Sequence, residues 1–265
     1  MALNNPVIVT ALFDIGRETW NNYTMSYHTY CWWARNTLSL DSNIVVYTEE
    51  KFLTELKNYR REFDPNLEKT IFITKKITEL DCYTIYYEKL KTLMESEKFI
   101  NKISFKNVPE MCQPLYNIIM FNKVFFLKDT IDNKYFNNDV VIWADAGGLR
   151  DDINVYKNTT WPKITKLNLL DKNVVTVFSH NLDVNITDFE YHALSQIRNI
   201  QGTCFFVPSH LIDILITVLN QTINDAINNS YIGSDEKIFD ICYTKHKSLF
   251  NLIKSNWREY FNYFK

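Results

Sequence analysis

No run in this 265-residue sequence approaches the roughly 18–20 consecutive apolar residues that a membrane-spanning helix requires. The first residues, Met1-Ala2-Leu3-Asn4-Asn5, lack the basic region of a secretory signal. Both absences predict a cytoplasmic or other intracellular protein, with peripheral association the form of membrane contact left open. An excess of positive charge is missing too. Lys and Arg number 29 against 31 Asp and Glu, a formal net charge of -2, so no basic field favours nucleic acid. Any phosphate must be held by local side chains. Cysteine is sparse: Cys31, Cys82, Cys112, Cys204 and Cys242 lie far apart, outside short metal-ligand spacings, and their odd number argues against a disulfide framework. Reduced, mostly buried thiols are expected.

Familiar signatures are absent as well. There is no Gly-x-Gly-x-x-Gly, no Walker loop, no His-Glu-x-x-His helix and no Gly-x-Ser-x-Gly elbow, which removes the support for common dinucleotide, nucleoside-triphosphate, zinc-protease and serine-hydrolase assignments. No internal repeat or linker divides the chain, so a single domain over 1–265 is expected.

What is present is a recurring strand-and-helix pattern. Val7 to Phe13, Asn43 to Thr48 and Lys69 to Thr74 read as strands, separated by segments of helical character from Trp20 to Arg35 and from Glu49 to Glu62. Repeated βα units of this kind predict an α/β fold with a doubly wound, mostly parallel central sheet flanked by helices. Residues 84–99 read as a further helix, and Gln113 to Leu127 as the amphipathic crossover feeding a strand at 139–143. Asn173 to Phe178 and Cys204 to Val207 are further strands; Ser209 is placed to cap a helix from His210 to Ile227. An aromatic tail, Trp257 to Phe264, is expected to pack back on the body.

The most informative segment is Val140-Val141-Ile142-Trp143-Ala144-Asp145-Ala146-Gly147-Gly148. A buried strand ending in one acid and two glycines would put a carboxylate at the carboxyl end of a sheet, where open α/β folds bind ligands. Arg150 follows, suited to pair with a phosphate. The plain alternative is an ordinary polar turn. Asp14, Gly16 and Arg17 end the first strand and would share that edge; equally, Asp14 could simply cap the next helix. Asp235 and Glu236 open a helix after Ser234, where acids serve either as a general base or merely to complement the helix dipole. His180 ends another strand and would line the crevice, whereas the remaining histidines show no metal-site spacing.

Taken in order, Val9-Thr10-Ala11-Leu12-Phe13-Asp14-Ile15-Gly16-Arg17, Tyr116 to Lys123, Trp143-Ala144-Asp145-Ala146-Gly147, Ile200-Gln201-Gly202-Thr203-Cys204-Phe205 and Ser234-Asp235-Glu236 carry a resemblance. Over most of its length the chain resembles the HtrL/YibB-like proteins, among the nucleotide-sugar glycosyltransferases of GT-A type. The resemblance implies a GT-A-like domain whose half 1–150 binds a nucleotide diphosphate sugar, UDP-linked by the habit of the wider fold, and whose half 151–265 binds a glycan or other hydroxyl acceptor. It implies a role in polysaccharide or other glycan biosynthesis, with hexosyl transfer. Thr10 and Ala11 would contact the nucleoside, with Arg17, Lys123, Asp145, Ala146, Gly147 and Arg150 completing the donor side. Gly202 and Thr203 would line the sugar and acceptor side. Asp235 or Glu236 would be catalytic, Asp235 preferred. Asp145 matches the first acid of an Asp-x-Asp motif and would ligate Mn²⁺ or Mg²⁺; Gly147 stands at the second position, so Arg17, Arg150 or Lys123 would then supply positive charge. Loss of that second acid also fits a catalytically degenerate carbohydrate- or protein-binding protein. A nucleotidyltransferase is the other enzymatic alternative.

Overall fold

Strands rich in Val, Ile and Phe on both faces need cover on both sides, and the chain supplies it with helices. In a computed structural model, which describes residues 5–257 and 259–265, β1 (Pro6–Leu12) pairs in parallel with β2 (Asn43–Thr48), and β2 with β3 (Thr70–Thr74). Met1 to Asn4, four of the five residues that lack the basic region of a signal, and Arg258 lie outside the described residues. On its other side β1 is parallel to β4 (Val140–Ala144). Strands β5 (Val175–Ser179), β6 (Ile200–Pro208) and β7 (Phe250–Lys254) complete a seven-stranded sheet in the order β3-β2-β1-β4-β6-β5-β7. β6 runs antiparallel to both β4 and β5, while β5 and β7 are parallel. The reversal brings the amino end of β6 to the same edge as the carboxyl ends of β1, β4 and β5.

Alternation along each strand divides the core. Val7, Val9, Tyr47, Val141, Trp143 and Phe205 face one cluster, packed with helices Asp81–Glu95, Pro114–Phe121, Lys123–Asp132, Ile212–Asn228 and Asp235–Lys245. Ile8, Ile44, Val46, Ile142, Cys204 and Phe206 face the other, with helices Tyr27–Leu38, Glu50–Arg61 and Tyr260–Phe264. The aromatic tail packs as expected: Phe264 lies 4.5 Å from Phe206 between ring centroids, and Phe261 stacks on Trp161 at 5.8 Å. All five cysteines are free, and Cys112 is the exposed one. No helix among the described residues is long and apolar enough to cross a membrane.

Several boundaries differ from the sequence reading, each for a local reason. A single 3-10 turn, Arg17–Thr19, precedes Trp20, and the α-helix begins only at Tyr27, because Ser26 caps it by accepting from the Thr29 amide at 3.1 Å. The 113–127 crossover is two helices, divided at Asn122, whose side-chain oxygen accepts from the Cys82 amide at 3.1 Å and so serves an open N–H in the first turn of Asp81–Glu95. Ser209 does not cap Ile212–Asn228; its hydroxyl lies 2.8 Å from Asn138 Oδ1. β6 begins at Ile200, four residues ahead of the strand that the pattern of Cys204 to Val207 predicts, and β7 has no counterpart in the predicted elements.

Candidate functional site at the carboxyl edge of the sheet

Trp143 and Asp145 are two residues apart, so they project from the same face of β4. The Trp143 indole N–H donates to Asp145 Oδ1 at 2.6 Å. The backbone of Asp145 extends the ladder, its N–H donating to the Thr203 carbonyl at 2.9 Å, and its own carbonyl accepts from the Gly148 N–H at 2.8 Å to close the turn. Lys123 opens the second half of the broken crossover and reaches this turn from below. Its ammonium lies 3.0 Å from Asp145 Oδ1, 2.7 Å from Asp235 Oδ2 and 2.9 Å from the Gly202 carbonyl oxygen. Three donors thus meet three acceptors. Burial works against the Lys123 charge, but Asp145 and Asp235 outweigh it and hold the ammonium above the usual lysine range. Burial pushes the Asp145 carboxyl up, with Lys123 opposing that shift.

Gly202 is small because Asp235 requires it to be: a Cβ there would collide with the Asp235 carboxylate, standing 2.8 Å from its Cγ. Asp235 and Glu236 begin helix Asp235–Lys245, whose N-cap, Ser234, makes no side-chain cap bond. Glu236 lies 3.2 Å from Arg198, which also reaches Glu110 at 2.6 Å. Burial first, then the neighbouring Asp235, pushes the Glu236 carboxyl up to about 7, against the pull of Arg198. Tyr116 borders Asp235, Glu110 and Glu236, and burial together with these carboxylates raises its phenol. Next along the helix, buried Lys237 donates to the carbonyl oxygens of Ala193 (2.9 Å) and Ser195, and burial lowers its ammonium to about 8.

The turn after β1 arrives from the other side. Gly16 adopts φ 77°, a left-handed conformation, and its N–H donates to Asp14 Oδ1 at 2.7 Å. Asp14 also pairs with Lys51, so it anchors the loop. Arg17 Nε donates to the Tyr23 carbonyl at 2.9 Å, and its terminal nitrogen donates to the Tyr30 hydroxyl. Burial raises the Tyr30 phenol, Arg17 and Arg150 oppose that shift, and Asp145 adds to it. Arg150 Nε donates to the Gly147 carbonyl at 2.7 Å, and its guanidinium stacks 3.7 Å over Trp33. Two guanidiniums from distant loops therefore converge on Tyr30 beside Asp145. A Cβ at Gly147 would stand 3.3 Å from Trp33 and 3.4 Å from Tyr30, so an acid there would have to displace this aromatic ledge.

Other residues singled out in the sequence are dispersed. Ala11 is half-buried on the Trp143 face, whereas Thr10 is buried on the opposite face, in register with Val46. Ala146 is buried in that opposite cluster. Thr203 is buried, and its backbone serves Asp145. His180 is exposed at the end of β5, its N–H donating to the Asn199 carbonyl at 2.9 Å. Conversely, Arg198, Glu110, Tyr30 and Trp33 were not anticipated. They belong to three separated segments, Tyr30 and Trp33 sharing one helix, and no spacing in the sequence joins the three.

Loops at this edge also wall an open cavity of about 490 Å³, lined by Asn22, Tyr23, Ser104, Phe105, Asn107 and Gln196 among others. A divalent cation fits the acidic group poorly. Asp145 Oδ1 already accepts from both Trp143 and Lys123, Asp235 Oδ2 holds Lys123 and is packed on Gly202, and Gly147 offers no ligand. Among the described residues no three His, Cys, Asp or Glu side chains converge as a metal-binding group.

Fold and site together define a mixed α/β protein with a mostly parallel seven-stranded sheet that gathers buried, paired charges at its carboxyl edge. The chain belongs to the HtrL_YibB family, described as a bacterial protein of unknown function, whose sequence model matches residues 4–265. Protein HtrL of Escherichia coli (strain K12) is 21% identical over 282 residues, covering 99% of this chain and 93% of that protein. Among solved structures, mouse xyloside xylosyltransferase 1 in its apo form is similar over 93% of this chain and 84% of its own, at 14% identity and a TM-score of 0.47. The galactosyltransferase LgtC, in complex with donor and acceptor sugar analogues, is similar over 93% of this chain and 72% of its own, at 10% identity and a TM-score of 0.49. The 4-diphosphocytidyl-2C-methyl-D-erythritol synthase of Anaerococcus prevotii DSM 20548 covers 96% of this chain and 88% of its own, at 8% identity and a TM-score of 0.44.

Proposed function

We propose that the chain is a glycosyltransferase that moves a hexosyl group from a nucleotide diphosphate sugar, UDP-linked, to a hydroxyl of a glycan acceptor, in polysaccharide or other glycan biosynthesis. The observation that carries this reading is the charge arrangement at the carboxyl edge. Asp145 and Asp235 are held by one ammonium, Arg17 and Arg150 gather beside Tyr30, and Glu236 retains its proton up to about 7. Guanidiniums present a fixed fork of donors that suits a diphosphate, and a carboxylate poised near neutral pH suits the removal of a hydroxyl proton.

Glu236 is better disposed than Asp235 to be the base. Asp235 is committed to Lys123 and packed on Gly202, whereas the Glu236 side chain is 19% exposed. In the proposed step the acceptor hydroxyl gives its proton to Glu236 while its oxygen bonds to the anomeric carbon. The bond from that carbon to the diphosphate oxygen breaks, and Arg17 and Arg150 stabilise the charge that develops on the leaving group. The amides of Asn22, Asn107 and Gln196 and the rings of Tyr23 and Phe105 suit the hydroxyls and apolar faces of a sugar in the open cavity. Residues 1–150 would supply the donor side and 151–265 the acceptor side.

Thermal-shift measurements against a panel of nucleotides and nucleotide sugars test the reading, with the parent compared with Asp145→Ala. A selective rise with one nucleotide diphosphate sugar, absent in a still-folded Asp145→Ala, is expected. Binding without transfer to any acceptor would instead favour a catalytically degenerate carbohydrate-binding protein. Nucleoside-triphosphate binding with pyrophosphate release would favour a nucleotidyltransferase.

A further inference from the structure

Two carboxylates at the carboxyl edge of the sheet normally invite a divalent cation, and here an ammonium stands between them. We propose that Lys123 is the resident cation of this site and that the chain binds its nucleotide diphosphate without a divalent metal. Only the identity of the ligand rests on the glycosyltransferase reading.

Four observations support the assignment. The Lys123 ammonium is satisfied by Asp145 Oδ1, Asp235 Oδ2 and the Gly202 carbonyl at 2.7–3.0 Å, the side chain being 2% exposed, so it is built in rather than swung in from solvent. The Asp145 oxygen that Lys123 holds also accepts from Trp143, so displacing the ammonium would not free that oxygen for a metal. Gly147 is packed beneath Tyr30 and Trp33, which closes the position a second acidic ligand would occupy. Finally, a divalent ion placed on these oxygens would lie against an ammonium of the same sign in a site largely removed from water, where like charges repel strongly.

Lys123 acts through its partners, and so is a positioning residue. It holds Asp145 with Oδ2 free of protein hydrogen bonds among the described residues, a free acceptor for a ligand hydroxyl. Contact with the phosphates is left to Arg17 and Arg150, both half-buried at the rim. The cationic work of the site is thereby divided between one buried ammonium and two guanidiniums.

The test uses the full chain after chelator dialysis. Mn²⁺ is titrated in and followed by the electron paramagnetic resonance signal of the free ion; UDP binding is measured by calorimetry in chelator and again in Mn²⁺. The expected result is an Mn²⁺ signal that the protein leaves unchanged, and UDP affinities that agree within a factor of about two in the two buffers. Lys123→Met, which keeps the stem and removes the charge, is expected to leave the free Mn²⁺ signal unchanged, because Trp143 still holds Asp145 Oδ1, and to weaken UDP binding alike in both buffers. Stoichiometric Mn²⁺ binding by the parent that is lost in Asp145→Asn, or UDP binding that requires Mn²⁺, would overturn the proposal. If Lys123→Met does not fold, the titrations of the parent decide alone. If UDP binds in neither buffer, the glycosyltransferase reading fails, while the Mn²⁺ titration still decides the role of Lys123.

Discussion

Glu236 carries the clearest pH signature at the scale of single residues. Its carboxyl holds a proton to about 7 in the folded chain, against an ordinary value of 4.5. A base must be ionised, so transfer is expected to rise with pH through about 7 and to level off above it. Glu236→Gln is expected to lower kcat by roughly 10²–10⁴-fold and to flatten that profile, as read from a pH–rate series. Stability runs the other way. The folded state binds the extra proton, so its advantage is full below 4.5 and is lost as pH rises through about 7. A melting series over that window should show the parent losing stability relative to Glu236→Gln as pH rises. Gly202 gives a second residue-scale prediction. In Gly202→Ala the new methyl group must displace the Asp235 carboxylate from Lys123, and breaking a buried pair in this way costs about 3–5 kcal/mol. Chemical denaturation would show the loss, together with loss of nucleotide binding.

Among the elements, one helix cap and one buried carboxylate set the geometry of the site from a distance. Helix Tyr27–Leu38 carries Tyr30 and Trp33, which pack against Gly147, and starts where it does because Ser26 caps it. Ser26→Ala is expected to cost about 1 kcal/mol and to leave the fold intact, a shift visible in urea denaturation. The amino end of β6 is fastened by Asp240 in helix Asp235–Lys245, whose carboxylate accepts from the Asn199 and Ile200 amides at 3.0 and 2.8 Å and lies 2.9 Å from His192 Nε2. Its side chain is fully buried. Asp240→Ala would leave two buried backbone N–H groups without that partner, at about 1–3 kcal/mol each, and would loosen the strand that presents Gly202 to Lys123. A drop in melting temperature accompanied by weaker nucleotide binding is the expected pair of readouts.

Across the whole molecule, the closing aromatic helix joins Trp161, Phe178 and Phe206, from three separate segments, into one layer. Phe264 is fully buried against Phe206, on the face opposite the Lys123 cluster. Phe264→Ala is expected to cost about 3–5 kcal/mol, and equilibrium unfolding would measure it. Phe264 lies across the sheet from Lys123, whereas Tyr30 packs against the Phe264 layer and Arg150 lies 5.5 Å over Trp257, so folded Phe264→Ala is expected to bind nucleotide more weakly; unchanged affinity would argue against coupling of this core to the guanidinium side of the site.

The sequence by itself determined the order of the first six strands, the burial of both sheet faces and the place of Asp145, since each follows from local periodicity and from an acid placed directly after an apolar run. Lys123, Gly202 and Asp235 were legible as members of motifs, but nothing in their spacing joined them into one cluster. Only the tertiary structure decided that the crossover breaks at Asn122 to put Lys123 between two carboxylates, that β6 reverses to bring Gly202 to the same edge, and that Arg198 bridges Glu110 and Glu236. Thr10 shows the same limit: on β1 it adjoins Ala11, yet it faces the other layer, where alternation along the strand places it. The physical reason is common to all of them. Periodicity fixes which way a side chain points from its own element, whereas a charge cluster depends on how separate elements are packed against one another.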